Sequence, residues 1–111
     1  MEKQADYNVD NQKAGLSFGQ ALEALKEGKR VQRTGWNGKG LFVFRQVPAE
    51  IGIDIVPKMQ PLPDSVKHEF AKRGRSIFYD NQLALVDLSN NISGWSPSTS
   101  DALAEDWVVL D

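Results

Sequence analysis

Apolar residues recur along this chain at two different periods, and the changes of period mark its elements. Phe18, Ala21, Leu22 and Leu25 follow the three-to-four spacing of one helical stripe. Ser17 stands at the N-cap position and Gln20 at the reciprocal capping-box position, while Gly28 supplies a left-handed stop, so a helix is predicted between them. A strand is predicted over residues 30–33 and another over residues 41–46. In the second, Leu41, Phe42, Val43 and Phe44 run consecutively and place large side chains on both faces of a sheet. A domain this small then needs cover on both sides. The helix is one cover, and a partner subunit is the expected second.

Pro48, Pro57, Pro61 and Pro63 punctuate residues 47–63 and oppose a long regular element there. Asp64 reads as the N-cap of a helix over residues 65–73, with Val66 and Phe70 on one side and Gly74 as the stop. Residues 77–79 and 83–88 read as strands around the turn 80–82, and residues 91–95 as a further short strand. Ser98-Thr99-Ser100-Asp101 is a capping-box pattern opening a short helix, and residues 107–110 close the chain as a strand. Residues 1–14 are polar, with Tyr7 and Val9 the only sizeable packing side chains, and read as a flexible lead; residues 15–111 read as one ligand-binding domain. The expected fold class is α+β: a small twisted antiparallel sheet with a packed N-terminal helix and short additional helices, assembled as a homo-oligomer.

Composition narrows the chemistry. The 111 residues contain no cysteine, which removes disulfides, zinc–thiolate sites and cysteine nucleophiles together, and weakly favours a cytoplasmic home. A formal charge of −2 argues against long nucleic-acid polymers as partners. No apolar run approaches the roughly 18 residues of a membrane span, and the N-terminus carries no signal core.

The candidate chemistry gathers around tryptophan. Trp36 sits among Gly35, Asn37, Gly38 and Gly40, where backbone allows close approach and the indole offers a stacking face. The alternative is a hairpin turn whose tryptophan folds back onto the core. Arg33, Lys39 and Arg45 flank this loop and are candidates for a pyrophosphate or cyclic phosphate, against the plainer reading of solvated surface. Trp95 is a second stacking candidate, whereas Trp107 lies in an apolar strand and is assigned to the core or a subunit interface. Ser98, Thr99 and Asp101 lie at a helix N-terminus. Its free amides suit an anion, but Asp101 turns the preference towards ribose hydroxyls or a base amino group, against pure capping. Asp101 and Glu105 share an i, i+4 spacing, yet with no histidine nearby they read as capping and a solvated face rather than a metal pair, and Asp106 does not share that helical face. His68, the one histidine, is expected to face water. No cofactor and no catalytic residue is expected, and there is no phosphate-loop or dinucleotide fingerprint.

The helix over residues 17–28, the loop Gly35-Trp36-Asn37-Gly38 and the closing segment from Gly94-Trp95-Ser96-Pro97-Ser98 to Asp101, then Ala104-Glu105-Asp106-Trp107, together resemble a known family. It is the phage-encoded Thoeris anti-defence sponges of the second type, and the resemblance covers roughly residues 16–110. It implies a homotetramer, with pockets between subunits, that sequesters a cyclic nucleotide signal in the cytoplasm of the infected bacterium. That signal is glyco-cyclic ADP-ribose, bound without degradation. Some members also hold cyclic di- or trinucleotides at a separate site. The polar lead and the helix of residues 64–74 depart from the shortest members. On this reading the ligand residues are Arg33, Trp36, Asn37, Lys39, Arg45, Trp95, Ser98, Thr99 and Asp101. The rivals are a phosphodiesterase or glycohydrolase acting on the same ligand, a structural virion module, and a carbohydrate-binding module.

Overall fold

The computed structural model describes residues 13–36 and 40–110. Residues 1–12 of the lead expected over residues 1–14, together with Asn37 and Lys39, lie outside the described residues. The chain divides into two compact units, one built from the segments up to Gln46 and from Gln82 onward, the other from Val47–Asn81.

The first unit begins with helix α1 (Phe18–Lys26). Ser17 Oγ accepts from the Gln20 backbone N–H at 3.2 Å, and the Ser17 N–H donates to Gln20 Oε1 at 2.9 Å, completing the capping box. At the other end Gly28 adopts φ +89°. Its N–H bonds to the Leu25 carbonyl and that of Lys29 to the Ala24 carbonyl, both at 3.0 Å, which is the paired pattern of a Schellman stop. The predicted stripe is the buried one: Ala21, Ala24 and Leu25 are buried, with Phe18 and Leu22 packed beside them.

Five antiparallel strands follow: β1 (Val31–Arg33), β2 (Phe42–Gln46), and, after the second unit, β5 (Gln82–Val86), β6 (Ile92–Gly94) and β7 (Trp107–Val109). Their order across the sheet is β6-β5-β2-β1-β7. Val31 pairs with both Val43 and Val109, and Val43 with Leu85, so these side chains share one face. That face packs on α1 with Leu16, Leu83 and Trp107. Alternation sends Phe42, Phe44, Ala84, Val86 and Ile92 to the opposite face. The β5–β6 turn is held by Asp87, whose Oδ1 accepts from the Ser89 and Asn91 N–H groups at 2.9 Å each, with Asn90 at φ +65°. These bonds from Asn91 and Ser89 hold the Asp87 carboxyl below its ordinary value. Helix α3 (Thr99–Leu103) then carries the chain from one sheet edge to the other.

The second unit pairs β3 (Ala49–Ile51) with β4 (Ile77–Tyr79), with Ile51 opposite Ile77. The proline-rich stretch, expected to be irregular, contains β3 and a single 3-10 turn over Val56–Lys58 that buries Val56. Helix α2 (Asp64–Arg73) ends at left-handed Gly74, as expected. Its N-cap is Pro63 rather than Asp64, because Asp64 already has helical backbone and makes no capping bond. Phe70 is half-buried and Val66 exposed, so the predicted apolar side is only partly covered. The strands flanking residues 80–82 do not pair with each other: β4 joins β3, whereas β5 joins β2 and β6. Among the described residues no helix is long and apolar enough to cross a membrane.

Candidate functional site

The three tryptophans converge beside α3. Trp107, fully buried in β7, is the centre. Trp36 meets it edge-on at 5.3 Å between ring centroids and Trp95 at 6.1 Å; Trp36 and Trp95 are 6.2 Å apart. Phe18 from α1 closes the cluster at 5.4 Å from Trp107. Such tilted and edge-to-face contacts satisfy the ring quadrupoles and add about 0.5–1.5 kcal/mol per pair beyond burial. Trp36 and Trp95 are half-buried. Trp36 folds back onto the core, as the hairpin alternative has it, while part of its surface stays open.

Polar groups fix these rings. The Trp107 indole N–H donates to the Asp101 carbonyl at 3.0 Å, and that of Trp36 to Asp101 Oδ1 at 3.3 Å. The same oxygen accepts from Arg33 Nη1 at 2.9 Å. The other Asp101 oxygen accepts from the Ser98 N–H, while Ser98 Oγ accepts from the Asp101 N–H, so the expected capping box is present. Asp101 is 9% exposed. Burial pushes its carboxyl up, but the bonds from Ser98, Arg33 and Trp36 outweigh this and hold it below the ordinary value.

Arg33 also reaches Asp106, Nε to Oδ1 at 2.9 Å, and Asp106 Oδ2 accepts the Gly35 N–H at 2.7 Å. The Arg33 bond lowers the Asp106 carboxyl against the opposing effect of burial, and the two carboxylates raise the guanidinium, Asp106 foremost. Helical spacing sets Asp106 apart from Asp101, yet α3 ends at Leu103 and the chain is extended by Asp106, so both carboxylates meet one guanidinium. Arg33 was the visible cation; the signal for Asp106 was a charge directly before a core tryptophan on an edge strand.

The remaining described candidates divide between the start of α3 and the sheet. Ser98 and Thr99 are exposed at the start of α3. Arg45 lies on the α1-facing side of β2, as Arg33 does on β1, but the Val31–Val43 register sets them four residues apart along the strands, about 13–14 Å. Arg45 Nε is buried without a hydrogen-bond partner among the described residues. The outer sheet face carries a separate groove of about 480 Å³ lined by Arg30, Phe42, Phe44, Val86, Asn90 and Ile92. Arg30 lies over the Phe42 ring at 5.2 Å, and Ile92 is 64% exposed. Among the described residues, no three acidic or histidine side chains gather as a metal cluster.

The Arg33–carboxylate contacts and the tryptophan cluster join segments from both ends of the sequence, and similarity to known proteins extends over the same span. The model of the Thoeris anti-defense 2-like (Tad2-like) domain matches residues 16–110. A protein of Bacillus phage SP01 called Thoeris anti-defense 2 is 34% identical over 98 residues, covering 88% of this chain and 98% of that protein. The chain belongs to the Thoeris anti-defense 2-like family.

Proposed function

We propose that this protein is a phage anti-defence sponge, which captures a cyclic nucleotide immune signal, glyco-cyclic ADP-ribose, and holds it without degrading it. The observation that carries this reading is the pair Trp36 and Trp95, both half-buried and braced against buried Trp107 beside the exposed start of α3. Rings held by packing and hydrogen bonds lose little freedom when a flat base stacks on them. Stacking worth roughly 1–3 kcal/mol per base, with hydrogen bonds from Ser98, Thr99 and Asn37 and charge from Lys39 and Arg45, is enough in sum for a sponge. Arg33 and Asp101 serve this site through the pose of Trp36. Membership of a family named for countering Thoeris defence supports the role.

Binding without chemistry also suits the carboxylates. Asp101 and Asp106 accept bonds from Arg33, Trp36, Ser98 and Gly35, and their lowered proton affinities make them weak general bases. In the same reading the protein works in the cytoplasm of the infected bacterium, as a homo-oligomer whose subunits cover the outer sheet face and share the ligand pockets. Cyclic di- and trinucleotides are further candidate ligands at a separate site.

The test is calorimetry with glyco-cyclic ADP-ribose, followed by heat denaturation and mass spectrometry of the released ligand. The expected result is saturable binding unaffected by chelators and recovery of intact ligand that still activates its immune effector. Trp36→Ala is expected to weaken binding at least tenfold, about 1.4 kcal/mol. Linear ADP-ribose accumulating over many turnovers would overturn the reading in favour of an enzyme. Absence of binding to any cyclic ADP-ribose isomer or cyclic oligonucleotide would favour a structural role.

A further inference from the structure

Trp36 begins a glycine-rich loop just after β1, and hydrogen bonds as well as ring packing hold it there. Three hydrogen bonds from the residues just before it end on one side chain and its own carbonyl. The Thr34 N–H donates to the Asp106 carbonyl at 3.0 Å, the Gly35 N–H to Asp106 Oδ2 at 2.7 Å, and Arg33 Nε to Asp106 Oδ1 at 2.9 Å. Arg33 is thereby oriented so that its Nη1 reaches Asp101 Oδ1, the oxygen that also receives the Trp36 indole N–H. A Cβ on Gly35 would stand 2.7 Å from Asp106 Oδ2, so the close approach requires glycine.

We infer that Asp106 is a positioning residue for Trp36, acting through Gly35 and Arg33 to present the indole in its ligand-ready pose; this rests on the reading of Trp36 as a stacking platform. Asp106 itself touches no ligand in this scheme. A carboxylate is needed because two donors, a backbone N–H and a guanidinium N–H, approach its two oxygens from different sides. Asparagine keeps the size but turns one acceptor into a donor facing one of them. The Asp106 side chain is 32% exposed against 12% for Asp101, so its ion pair contributes less to global stability than that of Asp101. Its loss therefore acts on the loop more than on the fold.

The experiment uses full-length protein labelled with 5-fluorotryptophan, with the Trp36 fluorine signal assigned through Trp36→Phe. Asp106→Asn, Asp106→Glu and Gly35→Ala are compared with the parent in three measurements: the ligand-free fluorine spectrum, the melting temperature, and the Kd for glyco-cyclic ADP-ribose. In Asp106→Asn and Gly35→Ala the Trp36 signal is expected to move or broaden, while that of Trp107 stays and melting changes little. Affinity is expected to fall roughly three- to tenfold, the cost of ordering one freed side chain. Asp106→Glu, which keeps both acceptors, is expected to recover part of the loss. An unchanged Trp36 signal and unchanged Kd in both Asp106→Asn and Gly35→Ala overturn the inference. If Asp106→Asn fails to fold, Gly35→Ala decides alone. If the parent protein binds no ligand, the sponge reading fails, while the fluorine spectra still decide whether Asp106 sets the pose of Trp36.

Discussion

Asp101 concentrates more of the site's chemistry than any other residue. It caps α3, receives Arg33 and the Trp36 indole on one oxygen, and offers its carbonyl to Trp107. The capping role was legible because it spans only three residues, from Ser98 to Asp101. The partnership with Arg33 was not, because 68 residues of chain lie between them. A similar distance in sequence hid the second partner of Arg33, Asp106, so that Arg33, read as a candidate for phosphate, is found paired with two carboxylates. These carboxylates make acid sensitivity a direct prediction. Asp101 and Asp106 titrate lower in the folded chain than in the unfolded one, so their stabilisation is fully present above the ordinary carboxylate range, about pH 5. It is lost as the pH falls through that range towards the lowered folded values. Urea denaturation of the parent is expected to show stability falling between about pH 5 and pH 3. In Asp101→Ala that slope should flatten, and stability at pH 7 should drop by about 2–4 kcal/mol through lost capping and unpaired Arg33 and Trp36 donors. A slope identical in both proteins would show that other groups control the acid limb.

At the scale of elements, the helices were the easiest to read. The capping boxes at Ser17 and Ser98 and the left-handed stops at Gly28 and Gly74 lie where local pattern places them. Gly28 gives a clean test, since a Cβ there would meet nothing within 4 Å and only its φ of +89° opposes a side chain. Gly28→Ala is expected to cost roughly 1 kcal/mol, seen as a fall in the urea midpoint with an unchanged slope. No change would mean that the helix end relaxes into another stop. Strands were recognised as strands, but their partners were not. The strands on either side of the turn at residues 80–82, β4 and β5, belong to different sheets. The short β3 in the proline-rich stretch was missed altogether, because Ala49-Glu50-Ile51 alternates over only three residues between prolines and pairs with β4.

At the scale of the whole molecule, the sheet has one face against α1 and an outer face carrying Phe42, Phe44, Val86 and Ile92. Four consecutive apolar residues in one strand announced this from the sequence, since alternation must send half of them outward. If subunits meet there, a charge at its centre should separate them. Phe44→Asp is therefore expected to convert a homo-oligomer, most simply a tetramer, into a species near the chain mass of 12.4 kDa in light scattering, with α-helical signal retained. A parent protein already at that mass would exclude the covered-face assembly. A variant that stays oligomeric would place the interface elsewhere.

The sequence by itself determined the helices and their stops, the two-faced strand, and the placing of Trp107 in an apolar strand at the core or an interface. These are consequences of backbone geometry and of hydrogen bonds that reach only a few residues, so the local pattern contains their cause. Tertiary structure alone decided which strands pair, that Asp106 meets Arg33 and Gly35, that Arg33 and Arg45 lie apart, and that Trp36 both packs and remains partly open. Those outcomes depend on closing the chain so that Arg33 meets carboxylates 68 and 73 residues away, and no local period records where such a closure will bring two charges together.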